Sequence, residues 1–85
     1  KYTDETELVV SDIIKRPNGD EIIRVVFERP TENGFDTLIF ELPSYNIIEN
    51  DGNYTEEEID LFRKVVEQGA AHFYEVAREG GLESA

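Results

Sequence analysis

Cysteine, tryptophan and methionine are all absent from the 85 residues, and there is one histidine, His72. Without cysteine there is neither a disulfide framework nor a thiolate metal site, so the chain must fold on a small apolar core alone, and the usage points to a cytoplasmic setting. A lone imidazole has no second His or Cys with which to share a metal. No spacing of Ser, His and Asp suggests a nucleophile with its base either. No catalytic constellation is visible, no cofactor is expected, and His72 reads as a residue beside the apolar helix stripe.

Positive charge is the next scarcity. Eight Lys and Arg face twenty Asp and Glu, for a formal charge of −12 and a pI near 4.3. Nucleic acid and anionic membrane are therefore poor direct ligands, because both demand clustered Lys and Arg to displace counterions. Long apolar runs are missing too, with nothing near the roughly eighteen residues of a membrane span. Lys1 heads no signal-like segment, and the missing Met leaves room for upstream sequence removed by processing. Gly19, Gly34 and Gly52 stand singly in turns or loops, Gly69 falls within a helix and Gly80–Gly81 follows it, so no phosphate-cradling loop is formed.

What is present is a small α+β pattern, read as one domain over residues 1–85. Two apolar runs, about 8–15 and 21–29, flank Pro17-Asn18-Gly19, which has the chemistry of a three-residue hairpin loop. That loop pairs Arg16 with Asp20, Lys15 with Glu21 and Asp12 with Arg24, three opposite-charge pairs. A third run, about 36–43, follows Asn33-Gly34, and a two-residue turn there sets Phe27 against Phe40 and Val25 against Leu42. The expected sheet is a three-stranded antiparallel meander with Val9, Ile13, Ile23, Val25, Phe27, Leu38, Phe40 and Leu42 on its buried side.

After a loop over 44–53, Thr55 and Glu58 form a capping box, with Tyr54 and Ile59 as the hydrophobic staple. A helix over about 56–79 follows, with Ile59, Phe62, Val66, Gly69, Ala70, Phe73, Val76 and Ala77 on one stripe that covers the meander, giving βββα. The mid-helix Gly69 is expected to let the helix approach Phe27 and Phe40. The tails, 1–6 and 82–85, carry no periodic signal and are expected to be flexible. The segment Ile47 to Glu58 has some of the spacing of a calcium loop, but Ile47 at its first position cannot ligate and Glu58 serves the capping box, so no metal is expected.

Two features point to partners. The second sheet face carries Val10, Ile14, Ile22, Val26 and Ile39, more branched aliphatics than a wholly solvated face needs. From Pro30 to Phe62 there are nine carboxylates (Glu32, Asp36, Glu41, Glu49, Asp51, Glu56, Glu57, Glu58, Asp60) and no Lys or Arg. Glu49, Asp51, Glu56, Glu57 and Asp60 are the expected acidic face. The leading expectation is a non-enzymatic protein-interaction module that self-associates as a homodimer through the aliphatic face. The alternative is an acidic mimic of nucleic acid that inhibits a basic nuclease or DNA-binding protein. Either way the partner is protein, a second copy or a basic one.

Overall fold

A computed structural model of the chain describes residues 5–80, together with the backbone of Leu82–Glu83. It is an α+β fold, an antiparallel sheet with one helix across one face. The elements are β1 (Glu7–Val10), β2 (Ile14–Lys15), β3 (Glu21–Thr31), β4 (Gly34–Leu42), β5 (Asn46–Asp51), α1 (Glu56–Arg78) and β6 (Leu82–Glu83). Five strands lie in the order β5-β4-β3-β1-β6, and β2 pairs with β3 beside them. The expected meander is thus extended on both edges. β5 occupies what reads in the sequence as a loop, and β6 falls in the expected flexible tail. The remaining tail positions, 1–4 and 84–85, lie outside the described residues.

The β2–β3 hairpin follows its turn chemistry. Arg16 N donates to Asp20 O at 2.9 Å, Gly19 N to Arg16 O at 2.9 Å, and Gly19 takes φ +95°. Lys15 pairs with Glu21 and Ile14 with Ile22, as the turn requires. Beyond Ile14 the expected register fails. Val10 faces Val25, Val9 faces Val26 and Leu8 faces Phe27. Four residue steps from Val10 to Ile14 therefore oppose three from Ile22 to Val25, which is a β-bulge over Ser11–Ile13. The Ser11 hydroxyl holds it, accepting from Arg24 N at 2.9 Å and donating to Asp12 O at 2.8 Å, while Ser11 N donates to Arg24 O at 3.0 Å. The odd shift swaps faces: Leu8 and Val10 turn toward the helix, Val9 turns away, and the Asp12–Arg24 pair does not form.

The β3–β4 hairpin departs from expectation by an even shift. Its central residues are Glu32 and Asn33, with Thr31 opposite Gly34, so Phe27 faces Leu38 and Val25 faces Phe40. An even shift preserves the faces, and Ile23, Val25, Phe27, Leu38, Phe40 and Leu42 are all buried. The adopted register sets Arg29 directly across from Asp36, where the expected one would have set it across from Leu38. A direct opposite-charge pair on the inner face favours the observed alignment.

α1 begins at the expected capping box. Thr55 Oγ1 accepts from Glu58 N at 3.1 Å, and Glu58 Oε1 accepts from Thr55 N at 2.9 Å. Phe62, Val66, Phe73 and Ala77 are buried, with Ile59, Ala70 and Val76 packed beside them. Phe27 stacks on Phe62 with ring centroids 4.4 Å apart and meets Phe40 edge-on at 6.0 Å. Gly69 has a different role from the one expected. A Cβ there would lie 2.9 Å from Cε2 of Phe73, so the missing side chain makes room for the ring one turn along the same helix. The helix closes at Gly80, whose N donates to Ala77 O at 3.1 Å with φ +105°.

Candidate functional site

The helix and its packing cover the inner sheet face; among the described residues no element lies over the outer one. Strand alternation and the observed registers arrange that outer face in rows. Val9, Val26 and Ile39 align across β1, β3 and β4, and the row ends on Glu49 of β5. The neighbouring row is Glu7, Glu28, Thr37 and Asp51. On the other side Arg24 faces Glu41, which faces Asn46. Val9, Val26 and Ile39 are half-buried, whereas Glu7, Glu49 and Asp51 are exposed. Phe35 extends the same face past Thr37 and is 62% exposed. A narrow aliphatic row is thus bordered on two sides by carboxylates.

Of the five aliphatics expected on this face, Val26 and Ile39 lie in the central row. Val10 does not belong there, because the bulge turns it into the core beneath the helix. Ile14 and Ile22 pair as expected, with Ile14 half-buried and Ile22 buried. Val9 takes the place expected for Val10. Only the bulge decides between them, and adjacent valines give no alternation signal to reveal it.

The nine carboxylates of the long acidic stretch separate into two populations. Asp36, Glu58 and Glu41 are engaged. Arg29 donates to Asp36 Oδ2 through Nε at 3.1 Å and Nη2 at 2.8 Å, and to Glu58 Oε2 through Nη1 at 2.6 Å. Arg16 reaches Glu41 at 2.8 Å. Glu32, Glu49, Asp51, Glu56, Glu57 and Asp60 are exposed. The five assigned to one acidic face divide between layers, Glu49 and Asp51 on the outer sheet face and Glu56, Glu57 and Asp60 on the helix.

The Arg29 cluster is the most buried polar assembly described. Asp36 is 4% exposed and also accepts from Asn53 N at 3.1 Å, and the Arg29 guanidinium sits 4.4 Å over the Tyr54 ring. The donated bond from Thr55 N, reinforced by Arg29, holds the Glu58 carboxyl below its ordinary range against the opposing effect of burial. Burial pushes the Tyr54 phenol up to about 12, although Arg29 pulls the other way. Gly52 completes the seat. Its φ is +128°, and a Cβ there would lie 2.8 Å from the Asp36 Cα. Among the described residues the hydrogen bonds of this cluster join its own members, so its geometry fastens the start of α1 to β3 and β4. The same bonds occupy Glu58, the twelfth position of the calcium-like segment. Among the described residues no group of three or more His, Cys, Asp and Glu side chains is placed to hold a metal ion.

An open groove of about 500 Å³ runs between the β1 bulge and the end of α1, bordered by Asp12, Lys15, Glu21 and Arg78. Its charges are mixed, with Lys15 Nζ 3.9 Å from Glu21 Oε2. His72 lies elsewhere, exposed on α1 with Nδ1 4.0 Å from Glu75 Oε1. No helix among the described residues is long and apolar enough to cross a membrane. No family model, curated protein or solved structure matches this chain.

Proposed function

We propose that this chain is a non-enzymatic protein-interaction module whose working surface is the outer sheet face, and that its partner is a basic protein. The observation that carries the reading is the aliphatic row Val9, Val26 and Ile39 bordered by Glu7, Glu28, Glu49 and Asp51 on a face that no described element covers. Apolar rows rimmed by charge are the usual make-up of a recognition surface, the row supplying desolvation and the rim supplying orientation and rate. A second copy is the poorer fit. Face-to-face packing would bring two sets of carboxylates together with Arg24 as the cationic residue among those rows, and three half-buried aliphatics are few for the roughly 800 Å² per partner of a stable interface.

The test joins molar mass in solution with capture. Light scattering at low salt should give a monomer. The immobilised chain should retain basic proteins up to about 0.15 M ionic strength, where the Debye length is about 8 Å, and release them as it shortens toward about 3 Å near 1 M. Val26→Asp and Glu28→Lys should each abolish retention, while Leu61→Asp on the helix layer should leave it intact. Retention that ignores both face substitutions, or a dimer that persists in high salt, would overturn the reading. The narrower reading, mimicry of nucleic acid, needs the exposed carboxylates to form one continuous array. Their division between the sheet face and the helix favours the broader one.

A further inference from the structure

β5 ends the strand order, pairing with β4 on one side and with no described element on the other. A terminal strand turns the N–H and C=O groups of alternate residues outward, unpaired, where they can template another strand. Natural edges are blunted by brevity, proline, lysine or a covering loop. β5 is six residues long without proline or lysine and, among the described residues, without a covering loop. What guards it is a bulge at Ile48 and the carboxylates Glu49 and Asp51, which repel an acidic strand and not a basic one. Asn46 and Ile48 through Asp51 are exposed, Ile48 at 42%. A register irregularity opposite Ile39 and Phe40 places Ile48 between the paired Ile47 and Glu49.

We infer that β5 accepts an extended segment of the partner as an added antiparallel strand, and that this segment carries basic residues at alternate positions. This deepens the proposed function and rests on it. The side chains decide the occupant. Glu49 and Asp51 stand two residues apart and share the outer face, so an added strand presents to them two of its own residues spaced by two. Lys or Arg there complements both carboxylates, and the longer of these side chains reaches toward the row holding Thr37 and Glu28. A second copy of β5 in that position would instead bring two Glu49 and two Asp51 side chains together around one ladder. Main-chain bonds to β5 supply attachment, and the alternation of charge supplies selectivity.

The probe is an eight-residue capped peptide of alternating Lys and Thr, compared with the same peptide N-methylated on the amides that would face β5. Both carry the same charge, so only the main-chain bonds differ. The unmodified peptide should bind at least tenfold more tightly at equal salt and slow hydrogen exchange of the edge-facing β5 amides at least tenfold. Exchanging Glu49 and Asp51 together for Lys should abolish binding while circular dichroism stays unchanged. Equal binding of the two peptides, or binding by neither, would overturn strand addition. Perturbation confined to Val9, Val26 and Ile39 without β5 protection would overturn it too, while leaving the outer-face reading standing. Concentration-dependent doubling of mass with β5 protected in the absence of peptide would overturn the basic occupant in favour of a second copy.

Discussion

Arg29→Met should remove a large share of the stability of this fold, by an amount that the cluster itself sets. The substitution keeps an unbranched apolar stem that reaches about as far as Nε and deletes the guanidinium beyond it, so three charge-assisted hydrogen bonds, two to Asp36 and one to Glu58, are lost together with the stack on Tyr54, while the packing of the stem is kept. Asp36 is then left buried with one remaining donor to its carboxylate, the Asn53 N–H. Breaking a fully buried pair by removing one partner costs about 3–5 kcal/mol. The Arg29 and Glu58 side chains retain 14% and 19% exposure, which moves the expectation to about 3 kcal/mol. An 85-residue chain holds roughly 4–13 kcal/mol in total, so the midpoint of urea unfolding should fall steeply with its slope unchanged. Arg29→Met combined with Asp36→Leu should recover about half the loss, since replacing both partners by apolar groups abolishes the orphaned charge. Lys15→Met, at an exposed ion pair, should cost under about 0.5 kcal/mol. A loss below about 1 kcal/mol for Arg29→Met would refute the view that this cluster fastens the helix.

Three further outcomes follow from the same region. The Glu58 carboxyl is held below its ordinary 4.5, so its contribution is present above that pH and is lost as pH falls through the lower folded value; Glu58→Gln should flatten acid unfolding in this window relative to the parent, a difference that cancels the general easing of carboxylate repulsion. Tyr54 is raised, so the unfolded chain ionises first and stability should decline between about pH 10 and 12; burial raises Tyr74 as well, so phenolate absorbance should show a late component that Tyr54→Phe diminishes and Tyr74 keeps in part. Gly52→Ala should cost roughly 2–3 kcal/mol in denaturant midpoint, from a left-handed φ and a Cβ driven onto Asp36, whereas Gly19→Ala, with φ +95° and open space, should cost about 1 kcal/mol.

The elements legible in the sequence were those specified by neighbouring residues. Pro17-Asn18-Gly19 carries its own turn, and Thr55 with Glu58 carries its own cap, so the hairpin and the helix start needed nothing distant. Register was harder. Val9 and Val10 are equally apolar, as are Ile13 and Ile14, so a straight strand and a bulged one bury similar surface, and the deciding bond from Arg24 N to the Ser11 hydroxyl joins residues 13 apart. Asn33-Gly34 is a strong turn signal that the cross-strand Arg29–Asp36 pair outweighed. β5 went unread because Ile47 and Ile48 are flanked by Asn, Asp and Gly, which read as a loop until β4 supplies a partner. The outer face was half legible for the same reason. Val26 and Ile39 depend on parity alone, which an even shift keeps, whereas assigning Val10 or Val9 depends on the bulge.

The Ser11–Ile13 bulge also makes chain length an independent variable in this fold. Because the β2–β3 hairpin takes its alignment from its turn and β1 takes its alignment from the core, the surplus residue between them absorbs the mismatch. Deleting Asp12 would leave three steps opposite three, a continuous ladder that still keeps Leu8 and Val10 inside. A one-residue deletion inside the paired stretch of β3, by contrast, would invert one flank of the sheet. Gain and loss of single residues are therefore tolerated unevenly along this chain, and the segment before the first hairpin is where its length can vary without rewriting which side chains meet the helix.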